Sequence, residues 1–518
     1  MADIANATLA ELQADLAEGR ISAAELTEAY LARIARHNPL LNAVRQTNPD
    51  ALAIAAALDH LKPKKRGKLH GLPILLKDNI ATADRQCTTA GSLALEGARA
   101  RHDATVTRLL REAGAVVLGK ANLTEWANIL AVGMPSGYSS LGGQVRNAYA
   151  PAVDAKGVPI VPPGGSSAGS AVAVAAGFAA AAIGTETSGS LLSPANQNSL
   201  VTVKPTVGLI SRAGIIPIAH SQDTAGPMTR TVLDSAILLN VLAQRDKLDP
   251  ATEKLRKPDD YTASLSRNGL KGARIGVPSD PDDPGNDVYY RPLSSAAKAV
   301  MANVISALQD LGATIVRAGM PTAGWIGGPG TDLAVLNRNP ESPGLHTPAR
   351  TPIVFLYELK HDLNQYLTHW AKGTKIASLD DVVAFNAAHP EQALRFGQDL
   401  FLAAAATKGD LSEPEYRAAR RNDLRSAKRH GLDAYIRMHK LDAVLFPGAS
   451  GAAIAAKAGY PSVQVPAGYI CGIAEQDTPD YPFGVSFTGR AWSEGKLLRL
   501  AYAYEQATLV RRMPPDLG

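Results

Sequence analysis

Three segments of the chain carry residues whose types and spacing could do chemistry. Pro162–Ser170 and Gly184–Ser190 are dense in glycine and serine, and Lys77 directly follows the apolar run Gly71–Leu76. A serine hydroxyl becomes a nucleophile when a neighbouring base takes its proton. A lysine at the end of a buried strand is desolvated, which lowers its pKa and leaves a neutral amine able to act as that base. The three segments together indicate acyl transfer through a serine.

The second glycine and serine cluster has the pattern of a strand that turns sharply. Ile183–Thr185 can begin a strand, and the chain can then turn through Ser188 and Gly189. Such a turn lets consecutive backbone N–H groups converge on a developing oxyanion. A helix is predicted from about Ser167 to Ala182, capped by Ser167 or a neighbour, so that the two serine-rich loops flank it and face one cleft.

Other interpretations of these residues are weaker. Gly165–Gly169 fits the nucleophile-elbow pattern with Ser167 as nucleophile, but that pattern needs a preceding strand, which Pro162 and Pro163 disfavour. No Lys-Ser or Lys-Thr pair follows in the position that a P-loop requires. The eleven histidines lie outside these turns and form no metal-ligand motif, and we interpret them as structural or surface residues. A lone lysine after a strand is usually a surface residue, and only its combination with the serine loops favours Lys77.

The elements that must position these residues begin with two helices, over about residues 7–37. Thr8 with Glu11 and Ser22 with Glu25 have capping-box spacing, and Pro39 is predicted to stop the second helix.

Beyond residue 70, short apolar runs alternate with helical patterns. This alternation predicts an α/β fold with a large mixed sheet covered by helices on both faces. The predicted strands are Leu72–Leu76, Ala115–Leu118, Arg274–Val277, Thr314–Val316 and Asp442–Phe446, and the predicted helices include Ala104–Glu112 and Ser294–Leu308. Two segments, 147–163 and about 320–352, are predicted to be loops.

Composition excludes several classes of protein. A hydrophobic fraction of 46% argues against disorder, and a net charge of +5 from 53 basic and 48 acidic residues is too small for a nucleic-acid-binding surface. The basic run 62–68 is interpreted as a solvated linker. Two cysteines, Cys87 and Cys471, cannot make a disulfide framework.

The apolar run Ala171–Ile183, about 13 residues, is too short to span a bilayer, and the N-terminus lacks a signal-peptide pattern. A cytoplasmic protein without metal or cofactor is the expectation.

The motifs taken together resemble the amidase signature family, and the resemblance covers nearly the whole chain. The segments that carry it are Gly71–Asn79, Gly164–Ser170, Gly184–Ser190, Val203–Gly208, Ser221–Pro227, Gly459–Pro461 and Pro482–Gly484. The resemblance implies the amidase-signature fold, formed as a single domain over 1–518 with a signature core at about 70–235.

The resemblance also implies a set of catalytic residues. The family's Ser–cis-Ser–Lys triad falls on Ser190 as nucleophile, Ser166 as the bridging serine after a cis peptide bond, and Lys77 as base. The 24-residue step between the two serines fits the family pattern. The backbone N–H groups of Thr187, Ser188, Gly189 and Ser190 would form the oxyanion hole. Asp223 and Arg230 are expected to support the site or the fold.

Within the family the sequence is most similar to bacterial peptide amidases, which release ammonia from C-terminal peptide amides. Ser188 replaces a common glycine, Leu191–Leu192 replaces an Ile-Arg pair, and the segment 147–163 is longer than usual. The lost arginine makes the site less cationic.

Three alternatives remain: an aryl-amide or fatty-acid-amide hydrolase, an amidotransferase A subunit that works with partner subunits, and a non-catalytic binding protein. Only 5% of residues are aromatic, which disfavours a lipid substrate. A small-molecule or peptide amide substrate is expected, with no nucleic-acid or membrane partner, and the protein is expected to be a monomer or homodimer.

Overall fold

The computed structural model is built on a mixed β-sheet, and it describes residues 3–255, 260–279, 287–322, 353–471, 479–515 and 517. The strands in these ranges are β1 (Val44–Thr47), β2 (Pro73–Lys77), β3 (Arg99–Ala100), β4 (Val116–Ala121), β5 (Tyr138–Ser139), β6 (Gly143–Gln144), β7 (Ala181–Glu186), β8 (Val201–Lys204), β9 (Thr224–Thr229), β10 (Arg274–Val277), β11 (Thr314–Arg317), β12 (Ala371–Lys372), β13 (Ala443–Pro447), β14 (Ser462–Ile470) and β15 (Tyr481–Thr488).

Eleven of these strands form the main sheet, in the order β1-β4-β2-β7-β9-β8-β14-β15-β13-β10-β11. Strands β4, β2 and β7 are parallel, the pairs from β7 through β9, β8, β14 and β15 to β13 are antiparallel, and β13, β10 and β11 are parallel again. Every residue of β2, β4 and β7 is buried, as expected for strands with helices on both faces. The predicted mixed α/β sheet is confirmed.

Helices surround this sheet. Those in the described ranges are α1 (Leu9–Ala17), α2 (Ala23–Leu41), α3 (Ala51–Asp59), α4 (Thr105–Glu112), α5 (Ala168–Ala175), α6 (Leu192–Gln197), α7 (Val232–Leu242), α8 (Ser295–Asp310), α9 (Ile353–His369), α10 (Leu379–Ala388), α11 (Pro390–Ala393), α12 (Asp399–Ala405), α13 (Pro414–Asp423), α14 (Asp433–Met438), α15 (Ala452–Ala458) and α16 (Glu494–Thr508). None of the helices that the structure describes is long and apolar enough to cross a membrane.

The two N-terminal helices confirm the sequence prediction except at one end. Both capping boxes are formed, at Thr8 and at Ser22. The prediction that Pro39 stops the second helix is wrong, because α2 continues to Leu41 and ends at Asn42, whose φ is 52°. A proline in the last turn removes only its own N–H, and the helix still closes there through the Asn42 N–H to Asn38.

The predicted helix over 167–182 is too long. Helix α5 ends at Ala175, and residues 181–186 form β7 between β2 and β9. Gly177 ends the helix because its φ is +71°, and a Cβ there would lie 2.7 Å from the backbone of Ala5. The alanine-rich sequence favours a helix, but pairing within the sheet decides the conformation after the turn.

The other predicted elements appear within three residues of their predicted ends. Segment 147–163 has no helix or multi-residue strand and contains one isolated bridge, between Val153 and Pro159. Of the predicted loop at 320–352, residues 323–352 lie outside the described ranges.

The sheet brings two of the predicted site segments together. β2 and β7 pair in parallel, with Leu76 opposite Ile183. Because parallel strands end at the same edge of a sheet, Lys77 and the turn after Glu186 lie side by side.

Candidate active site

Lys77, the last residue of β2, is completely buried beside hydroxyl groups. Its Nζ lies 2.7 Å from Ser166 Oγ, 2.9 Å from Thr185 Oγ1 and 3.3 Å from the Thr185 carbonyl. Burial lowers the pKa of Lys77 from 10.5 to about 7, against the opposing charges of Asp223 and Glu186. Near neutral pH a large share of this lysine is therefore an uncharged amine, which can accept a proton.

Ser166 and Ser167 precede helix α5 and are both fully buried. The peptide bond between Gly165 and Ser166 is cis. Ser167 does not cap the helix with its side chain. Its hydroxyl instead lies 3.0 Å from the Thr185 carbonyl and accepts the Thr185 N–H at 3.2 Å. The predicted cap is wrong, because the β7 backbone offers Ser167 a partner across the fold.

Ser190 ends the turn that follows β7. Its carbonyl accepts the Ser167 N–H at 3.2 Å, which ties the two serine loops together. Ser190 is 8% exposed, whereas Lys77 and Ser166 are fully buried, so Ser190 is the member of the predicted triad that substrate can reach. Among the described residues no hydrogen bond joins the Ser166 and Ser190 hydroxyls; the direct link is between Lys77 and Ser166.

The backbone amides of residues 187–190 are unpaired within the described chain. The next two amides differ, because Leu191 and Leu192 donate to Glu186 Oε2 at 2.8 and 3.1 Å. Glu186 therefore fixes the loop from behind and leaves the four preceding N–H groups available. This arrangement can stabilise an oxyanion.

The local sequence explains how the turn is made. Gly189 has φ +89°, a conformation that L side chains rarely adopt, whereas Ser188 is outside that region and costs no backbone strain. Leu191 and Leu192 are fully buried behind the turn.

Asp223 and Arg230 have the supporting roles that we expected. Asp223 accepts the Thr187 hydroxyl at 2.5 Å and the N–H groups of Ile218 and Ala219 at 2.9 Å, and so connects the turn to the 218–223 loop. Burial raises the pKa of Asp223 to about 6. Arg230 donates to the carbonyls of residues 7, 179 and 180, away from the serines.

A cavity of about 250 Å³ opens beside this turn. Thr185, Thr187 and Asp223 form one side of it, and Ile215–Ile218 form an apolar wall. Tyr366 of α9 and Trp370, the residue after this helix, also line the cavity. The cavity is therefore apolar along Ile215–Ile218 and polar at Thr185, the lining residue whose hydroxyl contacts Lys77.

Three residues of the cavity could in principle hold a metal ion. His220, His361 and Asp362 each place one ligand atom within 4.8 Å of the others. Both imidazole Nδ1 atoms already lie 2.7–3.0 Å from the Asp362 carboxylate, the distance of charge-assisted hydrogen bonds. The carboxylate also raises the pKa of His361, and it offsets the effect of burial on His220, whose pKa is raised as well. The cluster is thus satisfied as a hydrogen-bonded group.

Sequence reasoning missed several polar residues that line this cavity. The sequence pattern indicates a structural or surface role for His220. It marks Asn79 and Thr185 only as members of longer family motifs. The contact of His220 with Asp362 joins residues 142 positions apart, which no local pattern signals. Thr185 was detectable only as a polar residue at the end of a buried strand.

Known proteins are similar to this chain over nearly its whole length. The family model described as Amidase matches residues 25–323. A probable amidase of Arabidopsis thaliana is 38% identical, covering 99% of this chain and 92% of the relative. The A subunit of glutamyl-tRNA(Gln) amidotransferase from Acinetobacter baumannii is 32% identical, covering 98% of this chain and 97% of the relative.

Among solved structures, the peptide amidase of Stenotrophomonas maltophilia is similar over the whole chain. The two are 43% identical, with a TM-score of 0.83 and 99% of each chain covered.

Proposed function

The chain belongs to the amidase family and is an amide hydrolase, and on that premise we propose that it removes ammonia from C-terminal peptide amides with Lys77, Ser166 and Ser190 as its catalytic triad. The observation that supports the triad is the contact between the buried Lys77 amine and the Ser166 hydroxyl, whose N and O atoms lie 2.7 Å apart. The substrate class is supported by the similarity to the Stenotrophomonas peptide amidase, which exceeds the similarity to the amidotransferase chain.

The proposed reaction is a two-step acyl transfer. Neutral Lys77 takes a proton from Ser166, and Ser166 takes one from Ser190, whose oxygen attacks the amide carbonyl. The bond to nitrogen then breaks, and the proton returns through Ser166 to the leaving NH₂, which departs as ammonia. Water releases the acyl group from Ser190 by the same relay.

The free amides of residues 187–190 would hold the negatively charged oxygen of the intermediate. One such donor is typically worth about 3 kcal/mol of transition-state stabilisation. Glu186 and Asp223 hold the turn on two sides, so its amides are aligned before substrate binds.

The leucine at position 192 supports a substrate with an uncharged terminus. By the family resemblance, Leu192 replaces an arginine, a cation that would attract a carboxylate. A carboxamide end is neutral and gains nothing from such a cation, so the proposed peptide amide fits this side of the site better than a peptide with a free C-terminus.

Ammonia release by the purified chain tests the proposal. We compare N-acylated peptide amides, aryl amides, fatty amides and free glutamine, with no added protein. Peptide amides are expected to give the highest kcat/KM, and Ser190→Ala is expected to lower it by at least about 10⁴-fold. Turnover near the wild-type rate in Ser190→Ala would refute the triad, and hydrolysis of free glutamine but of none of the peptide amides would refute the substrate class.

A further inference from the structure

The side chain of Asn79 lies in the wall of the cavity beside the proposed base. It follows Lys77 by two residues, is 2% exposed, and lines the same cavity as Thr185 and Thr187. The proposed mechanism gives it no task.

The orientation of Asn79 is fixed from two sides. Its carbonyl accepts the Ile216 N–H at 2.8 Å, and its side-chain Nδ2 donates to Thr185 Oγ1 at 3.0 Å. Thr185 Oγ1 is also 2.9 Å from Lys77 Nζ. Turning the Asn79 amide would therefore break a contact that belongs to the environment of the base.

The other end of this amide, Oδ1, is buried and has no hydrogen-bond partner in the described chain. Of the described residues that line the cavity, Asn79 alone has such an atom. A buried carbonyl oxygen without a donor is costly, and ligand sites commonly keep such a group because the bound ligand supplies the missing donor. An amide oxygen can only accept, so the ligand must present a donor.

We propose that Asn79 Oδ1 accepts a hydrogen bond from an amide N–H of the substrate and thereby favours substrates that carry this N–H. The proposal rests on the proposed function, since it concerns the bound amide whose carbonyl Ser190 attacks. A peptide amide offers two such donors: the leaving NH₂ and the N–H of its last residue. A site built to accept an N–H discriminates against an analogue that lacks it, because the buried oxygen is then left unpaired.

Four matched substrates separate the two donors. The peptide amide has both N–H groups, its methyl ester has only the residue N–H, the amide with an N-methylated last residue has only the leaving N–H, and the N-methylated ester has neither. We measure kcat/KM of wild type, Asn79→Leu and the control Asp223→Asn. Asp223 lines the same cavity, and its side-chain hydrogen bonds in the described chain go to Thr187, Ile218 and Ala219 and not to Asn79. Where an N-methylated compound is turned over too slowly, its inhibition constant against the amide gives the same comparison.

Asn79→Leu is expected to lower kcat/KM about tenfold more for substrates that keep the recognised N–H than for the N-methylated ester. If the leaving NH₂ is the donor, both amides lose this extra factor and both esters do not. If the residue N–H is the donor, the extra loss follows the two unmethylated substrates instead. Asp223→Asn is expected to change kcat/KM of all four substrates by one common factor.

Equal losses on all four substrates in Asn79→Leu would overturn the proposal and make Asn79 a purely structural support of Thr185. Thermal melting establishes that the variant is folded, and Asn79→Ala replaces it if it is not. If the proposed function itself is wrong, Ser190→Ala still hydrolyses both the ester and the amide. That result is different from equal losses in Asn79→Leu, so the two failures can be told apart.

Discussion

Two buried lysines end strands of the same sheet, yet their surroundings differ. Lys77 at the end of β2 contacts two hydroxyl groups and one carbonyl, whereas Lys204 at the end of β8 donates to two carbonyls, of Pro205 at 3.1 Å and Tyr460 at 2.7 Å. Burial lowers the pKa of both, to about 7 and about 8.

The difference lies in what the partners can give. A carbonyl oxygen only accepts, so it can hold an amine but cannot deliver a proton to it. A hydroxyl can donate its proton to a neutral amine, as the proposed role of Ser166 requires. Desolvation alone therefore makes a lysine unusual, and the hydroxyl beside Lys77 is what makes it a candidate base.

Replacing each lysine by methionine should reveal the largest difference between the two lysines in enzyme activity. Lys77→Met is expected to lower kcat by roughly 10³-fold, because it removes general-base catalysis. Lys204→Met is expected to stay within about tenfold of wild type per folded molecule, since the Lys204 amine donates to the Pro205 and Tyr460 carbonyls and not to a triad residue. Initial rates of ammonia release measure both, and equal losses in the two variants would abolish the distinction between the lysines.

The two variants should rank in the opposite order in stability, with the larger loss of unfolding free energy in Lys204→Met. Lys204→Met leaves the Pro205 and Tyr460 carbonyls without their buried donor and should lower the free energy of unfolding by about 2 kcal/mol. Lys77→Met removes a desolvated amine and should cost less than about 1 kcal/mol, because Asn79 still pairs with Thr185. Urea denaturation at pH 7 gives both values, and a larger loss in Lys77→Met would contradict the comparison.

The pH profile tests the state of the Lys77 amine. Only the neutral form can act as base, and burial brings its pKa to about 7, so kcat/KM should fall as pH drops through that value and level off above it. An N-acylated peptide amide without ionisable groups is the substrate, which confines the titration to the enzyme. A rate that keeps rising towards pH 10 would indicate a lysine with an ordinary pKa.

Asp223→Asn should give the smallest effect. The Asp223 charge raises the pKa of Lys77, so its removal should move the midpoint of the kcat/KM profile to lower pH. Asparagine can still accept the Thr187 hydroxyl, so the turn is expected to survive. An unchanged midpoint, or one moved to higher pH, would show that Asp223 does not act on the base electrostatically.

Much of the framework was predictable because its signals are local. The capping boxes at Thr8 and Ser22, the buried strands and the turn at Gly189 all follow from spacing and residue type. The errors occur where distant contacts decide, at the end of α5 and at Ser167, whose hydroxyl binds β7 instead of its own helix.

The sequence by itself determined the alternation of strands and helices, the two serine-rich loops and a lysine after an apolar run. It did not show what surrounds Lys77 and Lys204, which both end buried strands within family motifs. The tertiary structure decided these surroundings by placing Ser166, 89 residues away in the chain, against the amine of Lys77. It also left the Asn79 oxygen without a partner, because hydrogen-bond satisfaction depends on which chain segments pack together and not on residue spacing.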